Sequence, residues 1–181
     1  MSIKNNNVLS LVYVAMFAAI ITICAQIQIP AAVPFTLQTL GVFTAGGMLG
    51  WKRGTLSVIV YVLLGLVGVP VFAGFTGGAA VLFGMTGGYI IGFIFTALIV
   101  GLMRDKLGTK IWVLALSMVI GLIVCYIFGT IWFMIVYNTS SGSMNLITAL
   151  GMCVVPYLPF DALKIVAAVI IVNRVSKIVR L

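Results

Sequence analysis

Two oppositely charged residues lie close together in an otherwise apolar segment of the sequence. Asp161 and Lys164 stand three positions apart in "VPYLPFDALKI", residues 155–165, and residues at this spacing lie on the same face of an α-helix. A lysine ammonium binds a carboxylate as a point charge, and an aspartate accepts hydrogen bonds from N–H groups. The pair is therefore either the polar anchor of a ligand site or a structural ion pair that joins this helix to its neighbours.

Charged residues are scarce in the rest of the chain. Of its 181 residues, 64% are hydrophobic and only 7% are charged, and the mean hydropathy is +1.34. A soluble domain of this length needs more charge on its surface. Long continuous apolar runs are typical of membrane helices rather than of the alternating strands of a barrel. We therefore predict an all-α integral membrane protein.

Hydropathy divides the chain into six predicted membrane-spanning helices of about 20 residues each. They cover approximately residues 8–28, 35–50, 54–69, 87–104, 111–137 and 146–175. Pro30 and Pro34 lie in the first connection, and a glycine-rich segment, residues 71–88, lies between the third and fourth helices. Nothing in the sequence indicates a second domain, so residues 1–181 are predicted to form a single substrate-binding domain.

The basic residues indicate how this domain is oriented. With both termini in the cytoplasm, nine of the ten lysines and arginines fall on the inner side, as the positive-inside rule expects. This distribution accounts for the net charge of +8 without a nucleic-acid partner. The exception is Lys164, which lies ten residues before Arg174. At 1.5 Å per residue it lies about 15 Å up the helix, in the outer half of the bilayer.

A charge at this depth needs a compensating interaction. It costs at least about 2.5–3.5 kcal/mol on insertion scales, and ionisable residues inside membranes most often mark functional sites. Pro156 and Pro159 precede the pair and predict a kink, because proline removes helix hydrogen bonds. Broken helices in membranes occur where the backbone lines a cavity. We therefore predict that Asp161 and Lys164 contribute to a ligand site.

Two outer segments could complete such a pocket. Thr36 and Gln38 stand at the start of the second predicted helix, although Gln38 also fits a helix-capping or loop amide. Gly87 and Gly88 permit close backbone approach to a ligand, but equally an ordinary tight turn. Their segment has no following lysine, unlike a phosphate-binding loop.

Two aromatic residues near the outer side of the membrane have two interpretations. Phe75 and Tyr89 could stack on a planar ligand, or could belong to the aromatic belt at the membrane surface.

The first helix carries small residues at close-packing spacing. Ala15 and Ala19 are four positions apart, with Ala18 between them, and such residues let a second helix approach closely. The partner is either another helix of this chain or a second protein.

Catalytic and energy-coupling groups are missing from the sequence. It contains no histidine and only two acidic residues, and it has no nucleotide motif and no metal-binding cluster. This argues against an enzyme and leaves active transport without a visible energy source. A secondary carrier with Asp161 as its proton site remains an alternative.

Four stretches resemble the BioY family, the biotin-binding S components of energy-coupling factor transporters. They are "VPFTLQTLGVFTAG" (33–46), "GLVGVPVFAGFTGG" (65–78), "LFGMTGGYIIGF" (82–93) and "PYLPFDALK" (156–164). Met85 departs from the family pattern, which often has proline there, and this leaves the loop less rigid.

The resemblance implies a six-helix fold with a pocket near the outer surface of a prokaryotic plasma membrane. It implies biotin as the ligand. From the charged pair itself we predict that Lys164 contacts the carboxylate of this ligand and that Asp161 either accepts from a ligand N–H or holds Lys164. The resemblance also implies a transmembrane coupling protein and two ATPases as partners, and it assigns Ala15 and Ala19 to the face that docks the coupling protein. From the sequence itself we predict no cofactor and no catalytic residue.

Overall fold

The computed structural model describes residues 3–31, 33–140 and 142–178 of the chain. Within these residues the protein is almost wholly helical, as predicted. Its helices are α1 (Ile3–Gln26), α2 (Gln38–Leu66), α3 (Ala79–Leu82), α4 (Gly87–Leu107), α5 (Ile111–Ser140), α6 (Leu146–Cys153) and α7 (Leu158–Ile178). Two short strands between α1 and α2, β1 (Gln28–Ile29) and β2 (Phe35–Thr36), pair in an antiparallel hairpin.

Five helical stretches in the described part of the chain are long and apolar enough to cross a membrane. They are residues 7–26 of α1, the whole of α2, α4 and α5, and residues 146–177. The last stretch comprises α6, a 3-10 turn at Val155–Tyr157 and α7. The turn coincides with the kink predicted from Pro156 and Pro159. Predicted helices 2 and 3 form the single element α2, so the described residues contain five such stretches rather than the six predicted.

Helix α2 is nevertheless folded back on itself at Gly50. This residue has φ 76° and ψ −176° inside the helix, a conformation that is essentially restricted to glycine. Gln38 Nε2 lies 2.7 Å from the hydroxyl of Tyr61, although 23 residues of straight helix would separate them by about 35 Å. The first arm (residues 38–49) and the second arm (residues 51–66) therefore lie side by side and run in opposite directions.

A carboxylate from α4 stabilises the break between the two arms. Asp105 Oδ2 accepts a hydrogen bond of 3.0 Å from the N–H of Trp51, the first residue after Gly50. A Cβ atom at Gly50 would lie only 2.6 Å from Asp105 Oδ1, so any side chain at this position would collide with the group that caps the second arm.

The first arm of α2 forms the centre of the fold. Every residue from 41 to 50 is buried, because the arm is surrounded by α1, α4 and α7. Glycines allow these close approaches, and a Cβ atom at Gly46 would lie 2.9 Å from the carbonyl oxygen of Ala97 on α4.

Large apolar side chains are exposed along the outer faces of α1, α5 and α7, such as Leu11, Ile127 and Leu163, as expected for helices in contact with lipid.

Several basic residues predicted to lie on the inner side are found beside the break in α2 or in the last turns of α4 and α7: Lys52, Arg53, Arg104, Lys106 and Lys177. Asp105 joins the end of α4 to this break, and Gly47 packs against Val172 of α7. These contacts bring the basic residues towards one end of the helices. Arg180 and the side chain of Lys4 lie outside the part of the chain that the structure describes.

Candidate functional site

Two adjoining cavities lie at the opposite end of the helices, between the β-hairpin, α4 and α7. The larger has a volume of about 270 Å³ and the smaller about 50 Å³. They share walls formed by Val33, Pro34, Thr36, Tyr89 and Phe93. The larger cavity is also lined by Gln38 and by the segment between α2 and α3. The smaller contains Asp161 and Lys164, so both charged residues of the predicted site border a cavity.

The carboxylate of Asp161 is surrounded by protein donors. Asp161 is only 3% exposed. Its Oδ1 accepts from Lys164 Nζ at 2.8 Å and from Thr39 Oγ1 at 3.1 Å, and its Oδ2 accepts from the hydroxyl of Tyr126. These donors belong to α7, α2 and α5. Asp161 therefore joins three helices, and both of its oxygens already have partners.

The ammonium of Lys164 makes fewer hydrogen bonds than the carboxylate of Asp161. An ammonium has three N–H donors, and the hydrogen bonds of the described residues use one of them, on Asp161. The side chain is 11% exposed and lines the smaller cavity. Lys164 is thus the member of the pair that has donors to offer a ligand, while the pair as a whole carries no net charge.

Tyr157 fixes the wall that both cavities share. It ends the 3-10 turn between α6 and α7, and its hydroxyl donates to the carbonyl oxygen of Val33. Its ring stacks on Phe35 with centroids 4.0 Å apart. The break in the C-terminal span therefore positions the β-hairpin over the charged pair.

Three predicted polar residues lie along the larger cavity. Gln38 is 4% exposed, and its amide donates to Tyr61 of the opposite arm of α2. Thr36 accepts from the N–H of Gln38 at 3.3 Å. The hydroxyl of Tyr89 pairs with Thr130 Oγ1 at 3.0 Å. These contacts fix the orientation of all three side chains in the cavity wall.

The other predicted ligand residues do not border either cavity. Phe75 is 72% exposed. Gly87 lies against the backbone of Leu82, and Gly88 lies against the side chain of Trp132. These two glycines provide close packing at the start of α4, and ligand contact by any of the three remains a prediction.

The small residues of α1 divide between two faces. Ala18 is buried, whereas Ala15 and Ala19 are exposed. The described residues therefore leave Ala15 and Ala19 uncovered, so both are available to a second protein.

Comparison with known proteins relates this arrangement to one family. A model described as the BioY family matches residues 1–181. The chain belongs to the BioY family. A biotin transporter BioY of Thermotoga maritima is 43% identical over 169 residues, covering 93% of this chain and 96% of its own length. A second, from Lactococcus lactis, is 36% identical and covers 96% and 94%.

A solved structure supports the same BioY-family relationship. It is the S-component for biotin from an ECF-type ABC transporter, and it matches with a TM-score of 0.86 and 34% identity. The match covers 98% of this chain and 95% of that chain. The chain therefore shares both its fold and nearly its full length with its BioY-family relatives.

Sequence reasoning did not connect Thr39 to Asp161 and missed Tyr126 altogether. The sequence places Thr39 beside Thr36 and Gln38 in an outer segment that could supply a pocket, but nothing in the sequence connects it to α7. Tyr126 lies within the long apolar run of α5, where a phenol hydroxyl needs a partner. That isolated hydroxyl is the signal that could have identified Tyr126.

Proposed function

We propose that this chain is the biotin-binding S component of an ECF-type transporter in a prokaryotic plasma membrane. In this proposal it captures biotin from the outer side, and a coupling protein powered by two ATPases completes the transport. Its membership of the BioY family and the part-buried Asp161–Lys164 pair at a cavity support this function. The observation that carries it is the 0.86 TM-score match to a biotin S-component over 98% of the chain.

The proposal includes six membrane crossings with both termini in the cytoplasm. The antiparallel arms of α2, which the bond between Gln38 and Tyr61 indicates, count as two crossings. An even number then returns the chain to its starting side. The basic residues near the break in α2 and in the last turn of α4 support a cytoplasmic assignment for that end.

Biotin has three chemical parts, namely a valerate carboxylate, an apolar thiophane ring and a neutral ureido head with N–H donors and a carbonyl. Phe72, Tyr89 and Phe93 would contact the ring, because they line the larger cavity. Thr36 and Gln38 lie in the same wall and offer polar groups to the ligand.

The charge balance of the pair suggests which end of biotin meets Lys164. Asp161 already neutralises the ammonium at 2.8 Å. A carboxylate bound there would leave an uncompensated negative charge in a buried site, which is strongly unfavourable. A ureido carbonyl adds no charge and accepts one of the remaining N–H donors. We therefore assign the ureido oxygen to Lys164, in place of the carboxylate expected from the sequence, and assign Asp161 to holding Lys164.

Ligand binding by the purified chain tests the function. In detergent and without nucleotide, the chain should bind biotin in preference to thiamine, riboflavin and fatty acids. A panel without this preference would reject the proposal. Biotin transport by the chain alone in liposomes, following a pH gradient, would indicate a secondary carrier instead.

A further inference from the structure

One side-chain amide connects the end of α1 to the segment between α2 and α3. Gln26 Nε2 donates to the carbonyl oxygens of Val71 at 3.2 Å and Phe72 at 3.1 Å. Its Oε1 accepts from the N–H of Phe75 at 2.8 Å. A single neutral residue in the last turn of α1 thus binds three backbone groups of one short segment.

That segment, residues 71–76, forms part of the larger cavity wall through Phe72, Ala73 and Thr76. It is a tight turn, closed by a hydrogen bond of 2.9 Å from the N–H of Phe72 to the carbonyl of Thr76. Phe75 has φ 56°, a conformation that a bulky residue rarely adopts and that persists only when its surroundings hold it. The amide of Gln26 contacts the backbone of this strained residue directly.

We propose that Gln26 is a positioning residue for the ligand cavity, which ties the segment 71–76 to α1 and thereby controls ligand release. The proposal rests on the proposed function for the identity of the ligand. Because α1 also presents Ala15 and Ala19 on its exposed face, a partner that displaces α1 would move this wall of the cavity through Gln26.

Two substitutions separate the donor and acceptor roles of the amide. Gln26→Met keeps a side chain of similar length but removes all three hydrogen bonds. Gln26→Glu keeps the acceptor for the N–H of Phe75 but puts a carboxylate oxygen in place of the amide donor to Val71 and Phe72. Thr22→Val is the matched control, because Thr22 lies one turn earlier on α1 and its hydroxyl donates to Ala18 of the same helix.

Residue-resolved hydrogen exchange on the ligand-free protein provides the first measurement. The amide of Phe75 should exchange about tenfold faster in Gln26→Met. A tenfold change corresponds to about 1.4 kcal/mol, which is about the net contribution of one hydrogen bond. The amide should keep the wild-type rate in Thr22→Val. In Gln26→Glu the rate should be intermediate, because the bond to the N–H of Phe75 is kept while a carboxylate oxygen faces the carbonyl oxygens of Val71 and Phe72. Unchanged exchange in Gln26→Met would overturn the proposal.

The biotin dissociation rate provides the second measurement. It should rise about tenfold in Gln26→Met if loosening the segment opens the cavity, while Thr22→Val stays at the wild-type rate. Faster exchange with an unchanged dissociation rate would show that Gln26 is only structural and would overturn its role in release. A wild-type protein that binds no biotin would reject the proposed function, and hydrogen exchange would still decide whether Gln26 holds the segment.

Discussion

Replacement of Lys164 by methionine tests which end of biotin this lysine binds. Methionine keeps an apolar stem but removes the ammonium, and Thr39 and Tyr126 still donate to Asp161. Without the ammonium, however, the buried Asp161 carboxylate loses its counter-charge, which destabilises the fold. The neutral double variant Asp161→Asn, Lys164→Met is therefore measured beside Lys164→Met. Losing a hydrogen bond from a charged donor costs about 1.5–3 kcal/mol. At about 1.4 kcal/mol per decade, biotin should bind about 10- to 150-fold more weakly.

Three ligands measured by titration calorimetry identify the contact. They are biotin, its carboxamide, and an analogue with sulfur in place of the ureido oxygen. If Lys164 donates to the ureido carbonyl, the wild type binds the carboxamide nearly as well as biotin and binds the sulfur analogue more weakly. The Lys164→Met variant should then no longer distinguish biotin from the sulfur analogue.

The opposite pattern would refute the reasoning from charge balance. A wild type that rejects the carboxamide, together with a variant that binds acid and carboxamide equally, would show that Lys164 binds the carboxylate. Lys177→Met is the matched control, because Lys177 lies in the last turn of the same helix and is exposed. It should leave all three affinities at their wild-type values.

Two further predictions concern the docking face of α1 and the break in α2. Tryptophan at Ala15 or Ala19 should abolish biotin uptake by the assembled transporter but leave biotin affinity of the isolated chain unchanged, since close helix contact requires small residues; equal loss of both would mean that this face packs within the chain. Gly50→Ala should lower the free energy of unfolding by roughly 1–3 kcal/mol because of its positive φ, measured by denaturation in detergent. Gly151→Ala is its control, because a Cβ atom at Gly151 meets nothing within 4 Å, and similar losses in both variants would contradict the role of the break.

The helical architecture could be predicted because hydropathy is a local property of the sequence. The charged pair could also be predicted, since Asp161 and Lys164 are three residues apart and any helix brings them together. The remaining partners of the carboxylate could not. Thr39 is 122 residues away from Asp161 and Tyr126 is 35 residues away, and only the packing of α2, α5 and α7 brings these hydroxyls to it.

Glycine patterns were the least informative signal. The sequence of Gly87 and Gly88 fits close approach of a ligand and close approach of a helix equally well, and only the structure places Trp132 against Gly88. The sequence likewise predicts a connection at residues 51–53, whereas the structure breaks the helix at Gly50. This break is a single non-helical residue, because Asp105 caps the next N–H from outside the local sequence.

The buried first arm of α2 has a consequence for how the protein is made. Its 12 helical residues before Gly50 span only about 18 Å, short of the ~30 Å hydrocarbon layer. Half of these 12 residues are glycine, threonine or glutamine, so this arm has little apolar side-chain surface with which to partition from the translocon by itself. We expect residues 38–66 to leave the translocon as one hairpin, with the second arm providing the partitioning energy. The first arm would then reach its final environment only after α4 has been synthesised, which makes biogenesis of this membrane protein depend on helices that emerge later from the ribosome.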